Sequence, residues 1–454
     1  MARPNAKWIP NLARAASALA LCGFLQGFVA CRSARVAPPE RPSQARPQGR
    51  GQDLDPAANW PRFRGPNGSG VAASPDAPTK WNGRTREGIL WKTRVPLPGY
   101  SSPVVWGDGV YLSGADRKVR EVYCFDADTG KLRWRRRIER VPGSAPGPSK
   151  VWQEGSYAAP TVATDGRVVC AVFANGDVAC LDTEGQPIWT RNLGVAENTY
   201  GHSSSPILVR DRLVVQRDEG LADERKSRLM ALDVRTGKTL WETPRAVSAS
   251  WGTPILVGPQ GHEQVVASGV PWVAAYDAGT GAEVWRAECM TGGLWAAPSP
   301  ICADGKVVAA VQGAVLAVIR PDGKGDVTKS HVAWAIADED LPSASTPVCD
   351  GALIFLLGTE RILVCFDAQN RQRLWGHEFP EGKGTFQASP IRVGDRLYIL
   401  ESTGRMYLVK AAREYQELGQ AELGETCPGA TPAVKDGRIY IRAKASLYCI
   451  GKRP

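Results

Sequence analysis

The side chains with chemistry to offer are few and scattered. Four histidines, His202, His262, His331 and His377, fall into no HxH or HExxH arrangement, so no metal centre is expected. Eleven cysteines include no CxxC and no adjacent pair, which removes the common zinc and dithiol patterns. Gly201-His-Ser-Ser-Ser-Pro206 is not a nucleophile elbow and reads as a loop leading into a strand. Gly65-Pro-Asn-Gly-Ser-Gly70 and Glu381-Gly-Lys-Gly-Thr385 lack the spacing and context of a phosphate loop, and Asp322-Gly-Lys-Gly-Asp326 is a turn rather than a calcium loop. One set of rings is different. Tyr100, Tyr157 and Trp251 each stand three residues before a proline that opens an apolar run, and His202, Trp295 and Phe386 lie at nearby positions of the same pattern. Aromatic faces gathered at one opening can stack on a planar ligand or grip a peptide, and they can equally plug the opening. No catalytic, cofactor-binding or metal-binding residue is assigned.

What must position these rings is a repeat. Cys124-Phe-Asp-Ala-Asp-Thr-Gly130-Lys-Leu-Arg-Trp134 reads as a strand end, a turn and the start of a second strand. Asp126 can accept from the amides ahead of it, and Gly130 can take the positive φ that closes the turn. The pattern returns from Asp182 to Trp189, Asp233 to Trp241, Asp277 to Trp285 and Asp367 to Trp375. A second anchor, a small residue and a proline before an apolar run, recurs at Pro103, Pro160, Pro206, Pro254, Pro300, Pro347, Pro390 and Pro432. Short period-2 strands and glycine turns in units of roughly 45 residues are the signature of β-propeller blades. Trp334 continues the tryptophan column, and Leu418 takes its place in the seventh unit. The eighth unit ends near Cys449 with no room for a last strand, while Ile89 to Val95, carrying Trp91, has no unit of its own. The expected fold is therefore all-β: eight blades of four strands, the last closed by the N-terminal strand, over residues 89–451. Closure removes open sheet edges. Each fully buried Trp would add roughly 4–6 kcal/mol as an upper estimate.

Cys124, Cys180, Cys365 and Cys449 share one repeat position with Ala231, Ala275 and Ala317, so they read as reduced, small apolar residues. A two-residue turn at Asn175-Gly176 would place Cys170 opposite Leu181 and turn Cys180 to the other face, so no bridge is expected there.

The ends of the chain suggest export. Residues 1–31 carry Arg3, Lys7 and Arg14 ahead of an apolar stretch, the pattern of a signal peptide. Phe28-Val-Ala-Cys31 resembles a lipobox, with Cys31 as the lipidated residue; a plain secretory signal is the alternative. Residues 32–59 read as a disordered tether and 60–88 as an ordered lead-in. A net charge of +10 without basic runs interleaved with aromatics argues against nucleic-acid binding.

Ala231-Leu-Asp-Val-Arg-Thr-Gly-Lys-Thr-Leu-Trp241 and Ala275-Tyr-Asp-Ala-Gly-Thr-Gly-Ala-Glu-Val-Trp285 resemble the repeat of the pyrroloquinoline quinone (PQQ)-like β-propeller family. The resemblance implies the fold and leaves the function open among the family's quinoprotein dehydrogenases, its lipoprotein of outer-membrane barrel assembly and other exported members. The dehydrogenases' adjacent-cysteine disulfide is absent, and their calcium ligands and catalytic Asp find no matching positions. The expectation is a non-catalytic, monomeric binding or scaffold protein of a bacterial periplasm or membrane face, with a protein or peptide partner and any membrane contact made through a lipid anchor. A PQQ- and calcium-dependent oxidoreductase and a barrel-assembly accessory are the alternatives.

Overall fold

The computed structural model describes residues 55–452 except 146–155, 294–295, 313, 359–360, 381 and 383. Cys31, the signal segment, most of the tether and Trp295 lie outside the described residues.

Eight antiparallel sheets follow one another, seven built by consecutive stretches of chain and the eighth by both ends. Within blade 1, Gly109–Ala115 is buried along its whole length while the outer strand Leu132–Arg137 alternates between exposed and half-buried. Such a gradient puts apolar runs inside and mixed ones at the rim. Because the strands alternate in direction, the turns joining first to second and third to outer strands share one end of the ring, here the turn end. Connections between second and third strands and between blades share the other, the loop end.

Blade 8 consists of Ala433–Lys435, Arg438–Arg442 and Ser446–Ile450, completed by Ile89–Arg94, with Trp91 opposite Cys449. The chain ends close the ring together, as the repeat count required.

At the rim, the tryptophan of one blade docks on the Asp turn of the next. The indole Nε1 of Trp91 donates to Ala127 O at 3.0 Å, Trp134 to Thr183 O at 2.8 Å, Trp189 to Val234 O at 2.8 Å and Trp241 to Ala278 O at 3.2 Å. Trp334 and Trp375 make the same contact with Ala368 O and Ala412 O. Each turn is tied by its aspartate: Asp126 Oδ1 accepts from the amides of Asp128 and Thr129 and from the Thr129 hydroxyl. Asp182, Asp233, Asp277 and Asp367 accept in the same way. Gly130 has φ +69, and a Cβ there would sit 2.5 Å from the Trp91 ring, so the turn glycine is needed both for its backbone and for the indole's close approach.

Three features depart from the expected pattern. Blade 4 has five strands, because Gly325–Asp326 from the fifth unit's insertion adds in parallel to Glu283–Glu288. Trp285 is fully buried there and donates instead to Gln264 Oε1 at 2.9 Å. In blade 7 the residue opposite Leu408 is Gly419, and Leu418 occupies the bulge, so the tryptophan position holds no side chain. Trp81 of the lead-in is buried nearby: it precedes Asn82, which bridges to Glu422, and it packs beside Gly88. Residues 55–59, assigned to the tether, are ordered as a 3-10 turn and a buried Asn59, whose side chain accepts from the Gly107 amide.

The inner ends of the blades are joined differently. Ser102 N–H donates to Thr161 Oγ1, Thr161 to Ser205, Ser205 to Thr253 and Thr253 to Ser299. Ser299 donates to Thr346, Thr346 to Ser389, Ser389 to Thr431, and Thr431 back to Ser102. The circle is complete, with every bond between 2.8 and 3.1 Å. The repeated hydroxyl is what registers the blades. In blade 2 it is Thr161, after Pro160 rather than before it, so the proline is two places out of step.

The lead-in crosses the turn end. Trp60 bridges to Val105 in blade 1 and Val71 to Arg392 in blade 7, on the far side of the same crossing. Between them the buried Arg64 donates to the carbonyls of Pro390, Pro347, Gly68 and Ser69. Asn82 then runs along blade 7 and the chain enters blade 8 at Ile89.

Candidate functional site

The described aromatic residues of the loop end are largely withdrawn from solvent. Tyr157, His202 and Phe386 are buried and Tyr100 and Trp251 half-buried. Phe386 packs on Phe379 at 5.2 Å and lies under the Arg361 guanidinium at 5.0 Å. Tyr100 N–H donates to Ala158 O at 3.0 Å. His202 Nε2–H donates to Gly194 O at 2.9 Å, and burial pushes the imidazole down to about 4, so it is neutral at physiological pH. These groups pack loops against neighbouring blades.

His202 and Trp251 lead to a better-defined feature, the loops of blade 3. Under them lies an ion pair, Arg245 with Asp218, both side chains wholly buried. Asp218 Oδ2 also accepts from Gln216 Nε2 at 2.8 Å and from the Ser250 hydroxyl, and Arg245 reaches Ser268 O. Burial pushes the Asp218 carboxyl up, and its donors, Arg245 foremost, pull it back. Desolvating such a pair costs several kcal/mol, offset only where donors converge as they do here.

Residues 218–227, a charged run, are stitched onto 193–202. Gly220 N–H donates to Glu197 O, Glu197 N–H to the Glu219 carboxylate at 2.7 Å, and Lys226 pairs with Glu197 at 2.7 Å. Ser227 Oγ accepts from Glu219 N–H and donates to Val247 O. Ala249 N–H donates to Gly220 O, and Tyr200 meets Trp251 edge-on at 5.1 Å.

From this frame project Val195, 53 % exposed, and Leu221, 61 % exposed, the two most exposed large apolar side chains among the described residues. The others, Leu132, Ile188, Leu240 and Leu418, lie on outer strands. Apolar tips on stiffened loops with a charged rim are the makings of a docking surface. Sequence reading missed both residues. The available signal was an apolar residue, Leu221, inside a charged loop.

Among the described residues no group of three or more His, Cys, Asp or Glu side chains is placed to hold a metal ion.

Eight blades, indoles docked on Asp turns and closure by both chain ends define the class, a β-propeller of PQQ-like repeats. The chain belongs to the family whose model is described as outer membrane protein assembly factor BamB, which matches residues 79–222 and 225–453. BamB from Burkholderia pseudomallei is 25 % identical over 310 residues, 67 % of this chain; the chain spans 63 % of that relative's length. Among solved structures, BamB from Moraxella catarrhalis superposes with a TM-score of 0.60 at 16 % identity, covering 80 % of this chain and 97 % of that one. Quinohemoprotein alcohol dehydrogenase from Comamonas testosteroni gives 0.64 at 13 % identity, covering 88 % and 82 %. Likeness at this identity speaks for the fold.

Proposed function

We propose that the chain is an exported, non-catalytic propeller that docks a protein partner in outer-membrane protein assembly, through the loop end of blade 3. The observation that carries this reading is the pair Val195 and Leu221 held outward on loops whose hydrogen bonds are already made. Preorganised loops bind with little further ordering cost, which leaves more of the apolar burial to appear as affinity. The name of the matched family supplies the setting. In this reading Cys31 is the point of membrane attachment, the propeller is monomeric, and neither quinone nor nucleic acid is bound.

The test is affinity capture of the full chain from its own cell envelope after cross-linking. Wild type should recover outer-membrane assembly components; Val195→Asp with Leu221→Asp should lose them at unchanged melting temperature, because neither side chain is packed. Equal recovery by the variant would rule out this face. The competing reading, a PQQ-dependent oxidoreductase, draws on the fold shared with the quinohemoprotein dehydrogenases. Adding PQQ and calcium to the purified protein decides it: a bound-quinone spectrum with dye reduction by an alcohol or sugar would replace the docking reading.

A further inference from the structure

Cys170 and Cys180 do not lie on opposite faces. The hairpin that joins their strands, Val168–Val172 and Asp177–Asp182, closes on three residues rather than two: Phe173 N–H donates to Asp177 O, Gly176 N–H donates back to Phe173 O, and Gly176 takes φ +85. Type I turns with a left-handed glycine bulge give this geometry. The extra residue slips the register by one, and Cys170 stands directly across from Cys180, their sulfurs 2.7 Å apart and both buried.

Two further observations concern the position itself. Ladder pairs alternate, so with Phe173 and Asp177 hydrogen-bonded, Cys170 and Cys180 form a pair of the non-hydrogen-bonded kind, where side chains stand closest and Cα atoms about 4.5 Å apart, inside the range a disulfide spans. Second, the other blades show what this site ordinarily holds. Cys124 faces Tyr111, Cys365 faces Phe355, Cys449 faces Tyr440, and Ala231 and Ala275 face valines. Blade 5 sets Ala317 against Ala309, and in the blades just named a small residue on the third strand is matched by a bulkier one on the second. Blade 2 alone sets two cysteines against each other at this position.

We propose that Cys170 and Cys180 are an oxidation site and close a cross-strand disulfide within blade 2. Each thiol loses one proton and one electron, one S–S bond forms, and the two electrons pass to a disulfide-bearing oxidant, which leaves as its dithiol. Because both sulfurs are sealed among Val172, Val178, Leu213, Val215 and Met230 in the finished ring, the bridge forms while blade 2 is still open to blade 3. The inference is independent of the partner reading.

The experiment refolds the full chain in a glutathione redox couple, traps free thiols with iodoacetamide under denaturing conditions, and maps peptides by mass spectrometry. A peptide pair linked through Cys170 and Cys180 is expected, 2 Da lighter than its reduced form by loss of two hydrogens, with Cys124, Cys289, Cys302, Cys349, Cys365, Cys427 and Cys449 alkylated. Dithiothreitol should lower the melting temperature of wild type by a few degrees and leave Cys170→Val unmoved, the residue other blades use there. Cys124→Ala, which faces a tyrosine, should keep the wild-type response. Full alkylation of both Cys170 and Cys180 after oxidative refolding would overturn the proposal.

Discussion

The two rings that hold the blades together obey different rules. The inner ring of Ser and Thr hydroxyls is complete, each backbone N–H donating to the next blade's side chain around the whole circle. The rim is not: Trp285 bonds within its own blade, Gly419 stands where an indole would, and local substitutes cover both gaps, the Gly325–Asp326 strand in one case and Trp81 in the other. A rim junction faces solvent and has room for a lead-in or an insertion to fill it. An inner junction is buried on every side, so a missing acceptor there orphans an N–H that no water or neighbouring segment reaches.

That difference can be broken most forcefully at the junction where the chain ends meet. Trp91→Ala removes an indole that is 8 % exposed, its bond to Ala127 O and the packing over Gly130 at once. A loss of about 3–5 kcal/mol is expected, as for large-to-small core changes, with blade 8 opening first. Hydrogen exchange should show Ser446–Ile450 deprotected well before Arg228–Asp233. Uniform exchange across both strands would mean that rim indoles do not govern local closure.

The inner ring should answer a smaller substitution with a sharper chemical preference. Thr253→Val keeps the shape and strips the acceptor from Ser205 N–H, costing about 1–3 kcal/mol for a buried donor left unmade. Thr253→Ser restores the hydroxyl and should recover most of it. If valine proved as good as serine in thermal melts, the circle of bonds would be a consequence of packing and not a cause of register.

The contrast also decides what could be read from the sequence. Trp, Asp and Gly are scarce or conspicuous, so the rim motif and its count announced eight blades and the shared last blade. The inner ring is made by Ser and Thr, common residues whose role depends on backbone placement, and the prolines beside them drew the eye instead. Pro160 shows the cost: it is two residues out of step because Thr161, not the proline, holds the position. A register slip of one residue misplaced Cys180, since two- and three-residue hairpin loops differ in register but hardly in composition around Asn175-Gly176. Aromatic residues before the inner strands were found, with plugging of the opening as one of their two readings, while the outward Val195 and Leu221 sit in loops where apolar content carries no periodic signal.

The gentlest probe of the rim is acid. Burial is the largest single influence on the Asp126 carboxyl and raises it, but the Arg133 guanidinium and the Thr129 hydroxyl and amide together outweigh it and hold the group down to about 2. Asp367 is held down to about 2 by the Asn370 amide and by Arg413. An unfolded aspartate titrates near 3.9, so folding binds these turns in their charged form. Their contribution is therefore fully present above about pH 4 and is lost as pH falls from there toward 2. The Asp126 carboxylate is partly solvated, which keeps its share small. Asn at both positions keeps an acceptor and removes the titration, and its melting temperature should fall less steeply than wild type between pH 5 and pH 2. Identical slopes in that window would place the acid sensitivity elsewhere, with Asp218 the first group to examine, since it is buried and its pKa is raised rather than lowered.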